Sequence, residues 1–277
     1  MIVIDGKKLS QEILSKIKTE VAGLSFRPIF CDILVGDDKV SMQYVDMKSR
    51  VANSVGILFH KNNLPFSITT DELVKEIEIL NKIPNMCGII LQLPLPIHID
   101  TKVVLDTVDP KLDVDCLGSV MSEKFYNGDI DIAPPTALAC MEILNSLNLN
   151  LKDKKIVVLG WGNLVGKPVS ALLHFFDLNP IIIRSQTINK EKLLKEADIV
   201  ISGIGKGKYI RGDMIKKGVI LIDAGTSESN SGIVGDVEID SVKDIAGYVS
   251  PVPGGVGPMT VAMLLKNVLT VAKNNFR

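Results

Sequence analysis

The sequence predicts an α/β protein with two domains, each built on a parallel sheet. Three observations predict it. Short apolar runs recur along the chain, among them IFCDILV (29–35), MCGIIL (86–91) and KIVVL (155–159). Amphipathic stretches, with apolar residues three and four apart, separate them. A glycine-rich turn joins one such run to a helix. Alternating buried strands and helices imply parallel sheets covered on both faces.

The elements follow in order. Leu9, Ile13, Leu14, Ile17 and Val21 mark a first helix. Residues 29–35 form a strand closed by Gly36-Asp37-Asp38, and a helix follows over about 41–55. Residues 57–60 read as a strand. Thr70 or Asp71 caps a helix carrying Leu73, Ile77 and Leu80. Residues 86–91 are a buried strand, and LPLP (93–96) stops regular pairing. The loop-rich stretch 109–135 is the expected domain junction. Beyond it come helix 136–147, strand 155–159, helix 164–176, strand 181–183, helix 189–196, and strands 198–202 and 219–223. The expected domains are 1–116 and 117–277, with a C-terminal helix at about 258–277 packing back toward the first.

The chain's 277 residues are enough for a real core in each domain. Its net charge of −1 supplies no bulk attraction to nucleic acid or an anionic membrane, and neither partner is expected. No apolar run approaches the roughly 18 residues of a membrane helix. The start, MIVIDGKKLSQEI, lacks the basic and apolar blocks of a signal peptide, so a cytoplasmic location is expected. Cys31, Cys87, Cys116 and Cys140 are widely spaced and read as reduced thiols. His60, His98 and His174 offer no metal-ligand spacing, and no metal is expected.

Six features carry chemistry. The run PVPGGVGPMTVA (251–262) concentrates residues that lock or free the backbone, which suits a rigid ligand-binding wall; the plain alternative is a tight turn and a helix start. Strand 155–159 leads into Gly160-Trp161-Gly162-Asn163-Leu164-Val165-Gly166 and a helix. Glycines there permit a tight turn and close approach to a pyrophosphate, which the helix N-terminus attracts. The next strand ends in Arg184-Ser185-Gln186-Thr187 with no acid; an Arg and a hydroxyl suit a 2′-phosphate and favour NADP over NAD, against the plain reading of a surface Arg.

Tyr44 and Lys48 share a helical face beside an apolar stripe of Val45, Ala52 and Val55. A desolvated lysine there becomes a usable proton acceptor, and a tyrosine can stack on a flat ligand. The alternative is an ordinary pair of surface side chains. Gln92 interrupts GIILQLPLP at a strand end, where α/β sheets bind ligands, and needs a partner. Of Asp113 and Asp115, one could cap a turn and the other grip ligand N–H groups; either could be a solvated loop acid.

These residues resemble a known family. YVSPVPGGVGPMTVAMLLKN, LVGDDKVSMQYVDMKSRVANSVGI (34–57), GIILQLPLP (88–96), VGKP (165–168) and GDV (235–237) are similar to the bifunctional methylenetetrahydrofolate dehydrogenase/methenyltetrahydrofolate cyclohydrolase (FolD) family. The match spans nearly the whole chain. The resemblance implies two α/β domains around a cleft, the C-terminal one Rossmann-like. It implies oxidation of 5,10-methylenetetrahydrofolate and hydrolysis of the methenyl product to 10-formyltetrahydrofolate. Lys48 falls on the catalytic lysine, Tyr44 on the ring-stacking tyrosine, Gln92 on the lysine-positioning glutamine and Asp115 on the pterin-holding aspartate. Pro251, Val252, Pro253, Gly254 and Gly255 would line the folate cleft. Gly160, Trp161, Gly162, Val165, Gly166, Arg184, Ser185 and Thr226 would contact the dinucleotide. A homodimer through the C-terminal domain is also implied.

The chain departs from the family in four places. Trp161-Gly162 replaces an Arg-Ser whose Arg grips the 2′-phosphate, a task for which Arg184 is the substitute. Cys116 replaces a Gly after the aspartate. Pro134-Pro135-Thr136-Ala137 stands for PCTP, and Asp223-Ala224-Gly225-Thr226-Ser227 for DVGIN. Two other readings remain beside the main one: a dehydrogenase of another substrate on this scaffold, and a silent cofactor-binding regulatory protein.

Overall fold

The chain opens with a short strand, β1 (Ile2–Val3), and a helix, α1 (Gly6–Ala22). The computed structural model describes residues 1–229 and 232–275. Its contacts divide into two compact units: Glu12–Pro134 with the chain from Leu264 onward, and Met1–Gln11 with Pro135–Met263.

The first unit holds a parallel sheet in the order β3-β2-β4, with β2 (Ile29–Val35), β3 (Leu58–Leu64) and β4 (Met86–Leu91). Strands β2 and β4 have the expected bounds. Strand β3 runs to Leu64, beyond the expected His60. Its polar residues Lys61, Asn62 and Asn63 have weak strand propensity, but pairing with β2 over seven residues outweighs it.

Helix α2 (Lys39–Ser54) starts a little earlier than expected because the Asp38 carboxylate accepts from Ser41 N at 2.7 Å and caps it. Helix α3 (Thr70–Leu80) is capped by Thr69, not by Thr70 or Asp71. A capping box explains the shift: Thr69 and Glu72 each satisfy the other's backbone N–H. Helices α4 (Thr101–Thr107) and α5 (Ser119–Tyr126) complete the middle of this unit. The stretch expected to be loop-rich thus contains α5, which buries only Met121 and Phe125 and carries too few apolar residues to announce itself.

The second unit begins with α6 (Pro135–Ser146). Then come β5 (Ile156–Leu159), α7 (Gly166–Phe175), β6 (Ile181–Ile183), α8 (Lys190–Glu196), β7 (Ile199–Ser202) and β8 (Ile220–Asp223). An antiparallel hairpin, β9 (Ser227–Ser229) and β10 (Gly232–Val234), precedes α9 (Ile239–Val242) and β11 (Tyr248–Val249). The sheet order is β1-β11-β8-β7-β5-β6, all parallel. Strand β5 has β6 on one side and β7 on the other, so the chain reverses its direction of travel there. Such a switch point opens a crevice at the strand's carboxyl end.

The last helix, α10 (Val256–Asn275), begins inside the proline- and glycine-rich run. Its Leu264, Leu265, Val268 and Leu269 enter the core of the first unit. The buried Asn267 amide donates to Val114 O and Ala133 O, both at 2.8 Å. All four cysteines are free and buried. Among the described residues, no helix is long and apolar enough to cross a membrane.

Candidate active site

Helix α2 buries Val45, Lys48 and Ala52 on one face. Lys48 is only 7% exposed. Its Nζ donates to Gln92 Oε1 at 2.9 Å and pairs with Asp32 Oδ2 at 2.5 Å. Gln92 extends β4, with its backbone N donating to Ile33 O at 2.9 Å. Side chains alternate faces along a strand, and Asp32 is in register with Ile90. Asp32 and Gln92 therefore lie on the same face of the sheet, under α2. The lysine–glutamine pair that the resemblance implies is formed. Tyr44 sits one turn before Lys48, half-buried, and burial raises its hydroxyl above the ordinary tyrosine value.

Asp32 is missed by sequence reasoning, although an acid inside IFCDILV is itself a signal. It is fully buried. Burial pushes its carboxyl up, and Lys48 pulls it back down. Neither carboxylate oxygen has a hydrogen-bond partner among the described residues, and Oδ2 has the Lys48 ion pair alone.

The two loop aspartates divide the work. Asp113 accepts from Gly118 N at 2.8 Å, Asp115 N at 3.3 Å and Leu117 N at 3.4 Å, so it is the turn-forming acid. Asp115 is pushed up to about 7, first by burial and then by Asp113, while the Lys48 charge opposes both. Cys116, between this pair and α5, holds φ at 57°. That left-handed conformation favours glycine and costs another residue about 1 kcal/mol.

The 251–255 run belongs to the second unit. Val252–Pro253 is cis, and Gly254 has φ of 108°. Gly255 N donates to Pro251 O at 2.7 Å, closing the turn. A Cβ on Gly6 would stand 1.9 Å from Gly255 O, so α1 can start against the run only with glycine.

Around the switch point, Gly160 turns the chain with φ of 107°. A Cβ on Gly166 would fall 2.2 Å from Gly160 O, whereas one on Gly162 would meet nothing within 4 Å. The loop is thus tight on its inner side and open at Gly162. Val165 precedes α7 without a side-chain cap; Lys167 N donates to Gly162 O at 3.0 Å and Pro168 has no N–H, which leaves the Gly166 amide of the first turn for an anion. Across the crevice, the Arg184 guanidinium lies over the Trp161 ring, 4.3 Å from its centroid. Thr187 pins this turn: its hydroxyl accepts from Arg184 N at 2.9 Å. Ser185 and Thr226 are exposed. No ion pair engages Arg184 among the described residues. A guanidinium without a carboxylate partner, beside a loop open at Gly162, fits a phosphorylated dinucleotide.

Two buried acids behind this crevice also escape sequence reasoning. Asp236 accepts from Ser202 Oγ at 2.7 Å, Lys206 N at 2.8 Å and Ile204 N at 2.9 Å. Asp223 accepts from Val237 N at 2.8 Å, Gly225 N at 3.0 Å and Asp236 N at 3.1 Å. They latch together the loops after β7 and β8. Burial raises Asp223 to about 6.

The family models for tetrahydrofolate dehydrogenase/cyclohydrolase match this chain twice: the catalytic domain over residues 4–115, and the NAD(P)-binding domain over 134–276. The chain belongs to the tetrahydrofolate dehydrogenase/cyclohydrolase family. Among similar members of the family is the bifunctional protein FolD of Nautilia profundicola, 44% identical over 99% of this chain and 98% of the relative. The crystal structure of the bifunctional FolD methylenetetrahydrofolate dehydrogenase/cyclohydrolase from Campylobacter jejuni matches with a TM-score of 0.94, 35% identity and 99% coverage of both chains. The Trypanosoma brucei FolD, solved with NADP cofactor and inhibitor, matches with a TM-score of 0.94, 36% identity, and 100% and 99% coverage.

Proposed function

We infer that the protein is a bifunctional methylenetetrahydrofolate dehydrogenase and methenyltetrahydrofolate cyclohydrolase of one-carbon folate metabolism, using NADP. The observation that carries this reading is the buried Lys48 amine held by Gln92, with Asp115 in electrostatic reach. A family fold alone would not require an amine at that place.

The residue roles are proposals. Tyr44 stacks on the pterin ring, and Asp115, in its ionised form, accepts the ring's N–H groups. Pro251, Val252, Pro253, Gly254 and Gly255 form a rigid surface for the folate. The turn of Gly160, Trp161 and Gly162, open at Gly162, together with Val165 and Gly166 at the start of α7, receives the pyrophosphate. Arg184 and Ser185 bind the 2′-phosphate, and Thr226 contacts the dinucleotide. NADP, when bound, accepts the hydride. The remaining catalysis is positioning and proton handling by the chain itself. Lys48, oriented by Gln92, takes a proton from the water that attacks the methenyl carbon.

Lys48→Met tests this assignment. A general base contributes about 10²–10⁴ in rate, so hydrolysis of methenyltetrahydrofolate falls by that factor while folate still binds. Full hydrolysis in the variant would remove Lys48 from the mechanism. The homodimer implied by the resemblance and the cytoplasmic location expected from the N-terminal residues are proposals too, checked by light scattering of the purified protein and by cell fractionation.

A further inference from the structure

Asp32 stands in the middle of β2, fully buried in an otherwise apolar run. A buried carboxylate whose oxygens have no hydrogen-bond partner and a single ion pair is costly, and strands keep such a group only for a reason. Lys48 Nζ lies between two acceptors on neighbouring strands, Asp32 Oδ2 at 2.5 Å and Gln92 Oε1 at 2.9 Å. An ammonium has three N–H donors. One is donated to Gln92 and a second faces Asp32 in the ion pair; once the amine is neutral, rotation about the Cε–Nζ bond keeps its two N–H groups on these acceptors and turns the lone pair to the reacting water.

We propose that Asp32 is a positioning residue for the hydrolytic step: it holds the Lys48 amine from the core side and stores the proton that the amine must shed. The proposal rests on the reading of Lys48 as the proton acceptor. Hydrolysis of the methenyl cation adds one water and releases one proton. The water oxygen bonds to the one-carbon centre, the bond from that carbon to N5 breaks, N5 gains a proton, and the second proton of the water leaves. Both water protons move, yet one amine holds only one at a time. Lys48 first passes a proton along the Nζ–Oδ2 contact, giving a neutral amine and a neutral Asp32 acid. The amine then takes one water proton, delivers it to N5, and takes the second. The ammonium and the Asp32 acid together now hold one proton more than at the start, and it is released to solvent.

Other charged groups surround the pair. Lys61 of β3, in register with Asp32, attracts it and is itself bound to Asp46 of α2 at 2.9 Å. Asp115, with Asp113 beside it, repels Asp32. The Cys31 thiol, raised by burial and by Asp32, stays protonated.

The test uses the full-length protein and Asp32→Asn. Loss of the carboxylate leaves a desolvated ammonium without its counter-charge, which favours the neutral amine. The acid limb of the hydrolysis pH profile moves down by about one pH unit or more, a tenfold change in proton concentration. The ¹⁵N NMR transition of Lys48 Nζ, read without substrate, moves with it. A uniform rate loss with unmoved limbs, or an unmoved ¹⁵N transition, would make Asp32 a packing residue and overturn the proposal. If Asp32→Asn does not fold, ¹³C-carboxyl NMR of the unaltered protein decides: coupled titration of Asp32 with Lys48 supports the proposal, and an Asp32 that ionises independently by pH 5 overturns it. An unaltered protein that hydrolyses no methenyl substrate refutes the activity instead, while the NMR transitions are still read.

Discussion

Replacing Arg184 with Ala removes the cation that lies over Trp161 at the end of β6. A hydrogen bond to a charged group contributes about 1.5–3 kcal/mol, and the exposure of Arg184 places it at the low end. The stack on Trp161, worth about 0.5–1 kcal/mol at an exposed site, holds the guanidinium in place before the ligand arrives. Together the two effects come to about 2 kcal/mol, or roughly 30-fold weaker NADP binding. NAD lacks the 2′-phosphate, so its affinity changes less than about threefold. Trp161 is the single tryptophan of the chain, and its fluorescence therefore reports on this crevice directly. Titration with NADP, NAD, 2′,5′-ADP and 5′-AMP gives four affinities without turnover. Arg184→Lys keeps the charge but not the planar stack and falls between the two. Equal losses for NADP and NAD, or no loss for either, would refute the assignment of Arg184 to the 2′-phosphate.

Asn267→Ala strips two buried carbonyls, Val114 O and Ala133 O, of their donor. At about 1–3 kcal/mol for each unsatisfied group, the variant loses about 2–6 kcal/mol, read as a lower urea midpoint; an unchanged midpoint would contradict the bridging role. Stability also depends on pH through the buried carboxyls. Asp223 rises from 3.8 to about 6 on folding, so the native state holds its proton more tightly than the unfolded chain. Its contribution, on the order of 3 kcal/mol, is complete below about 3.8 and is lost as pH rises through about 6. Asp115, raised to about 7, acts in the same sense. Urea midpoints therefore fall between pH 5 and pH 7, and a rise over that interval would contradict the burial of these groups.

The strand–helix alternation is legible in the sequence because it rests on local periodicity. Strands 29–35, 86–91 and 181–183 are bounded by breakers or polar residues and emerge with their expected limits. The paired Lys48 and Gln92 are legible for a related reason: each is a polar residue set against an apolar pattern. Asp32 breaks an apolar run in the same way, but no local rule says which side chain it meets. Helix α5 and the far half of β3 stay hidden because their residues are polar, and neighbouring elements supply what propensity lacks.

By itself, the sequence determined which segments are strands and helices, where glycine must stand, and which family the motifs resemble. These depend on spacing along the chain and on backbone freedom, both local properties. Only the tertiary structure decided that Asp32 meets Lys48, that Asp113 forms a turn while Asp115 sits raised beside it, and that Arg184 rests on Trp161. Those contacts join residues from different elements, and their energies depend on burial and distance, which exist only once the chain has folded.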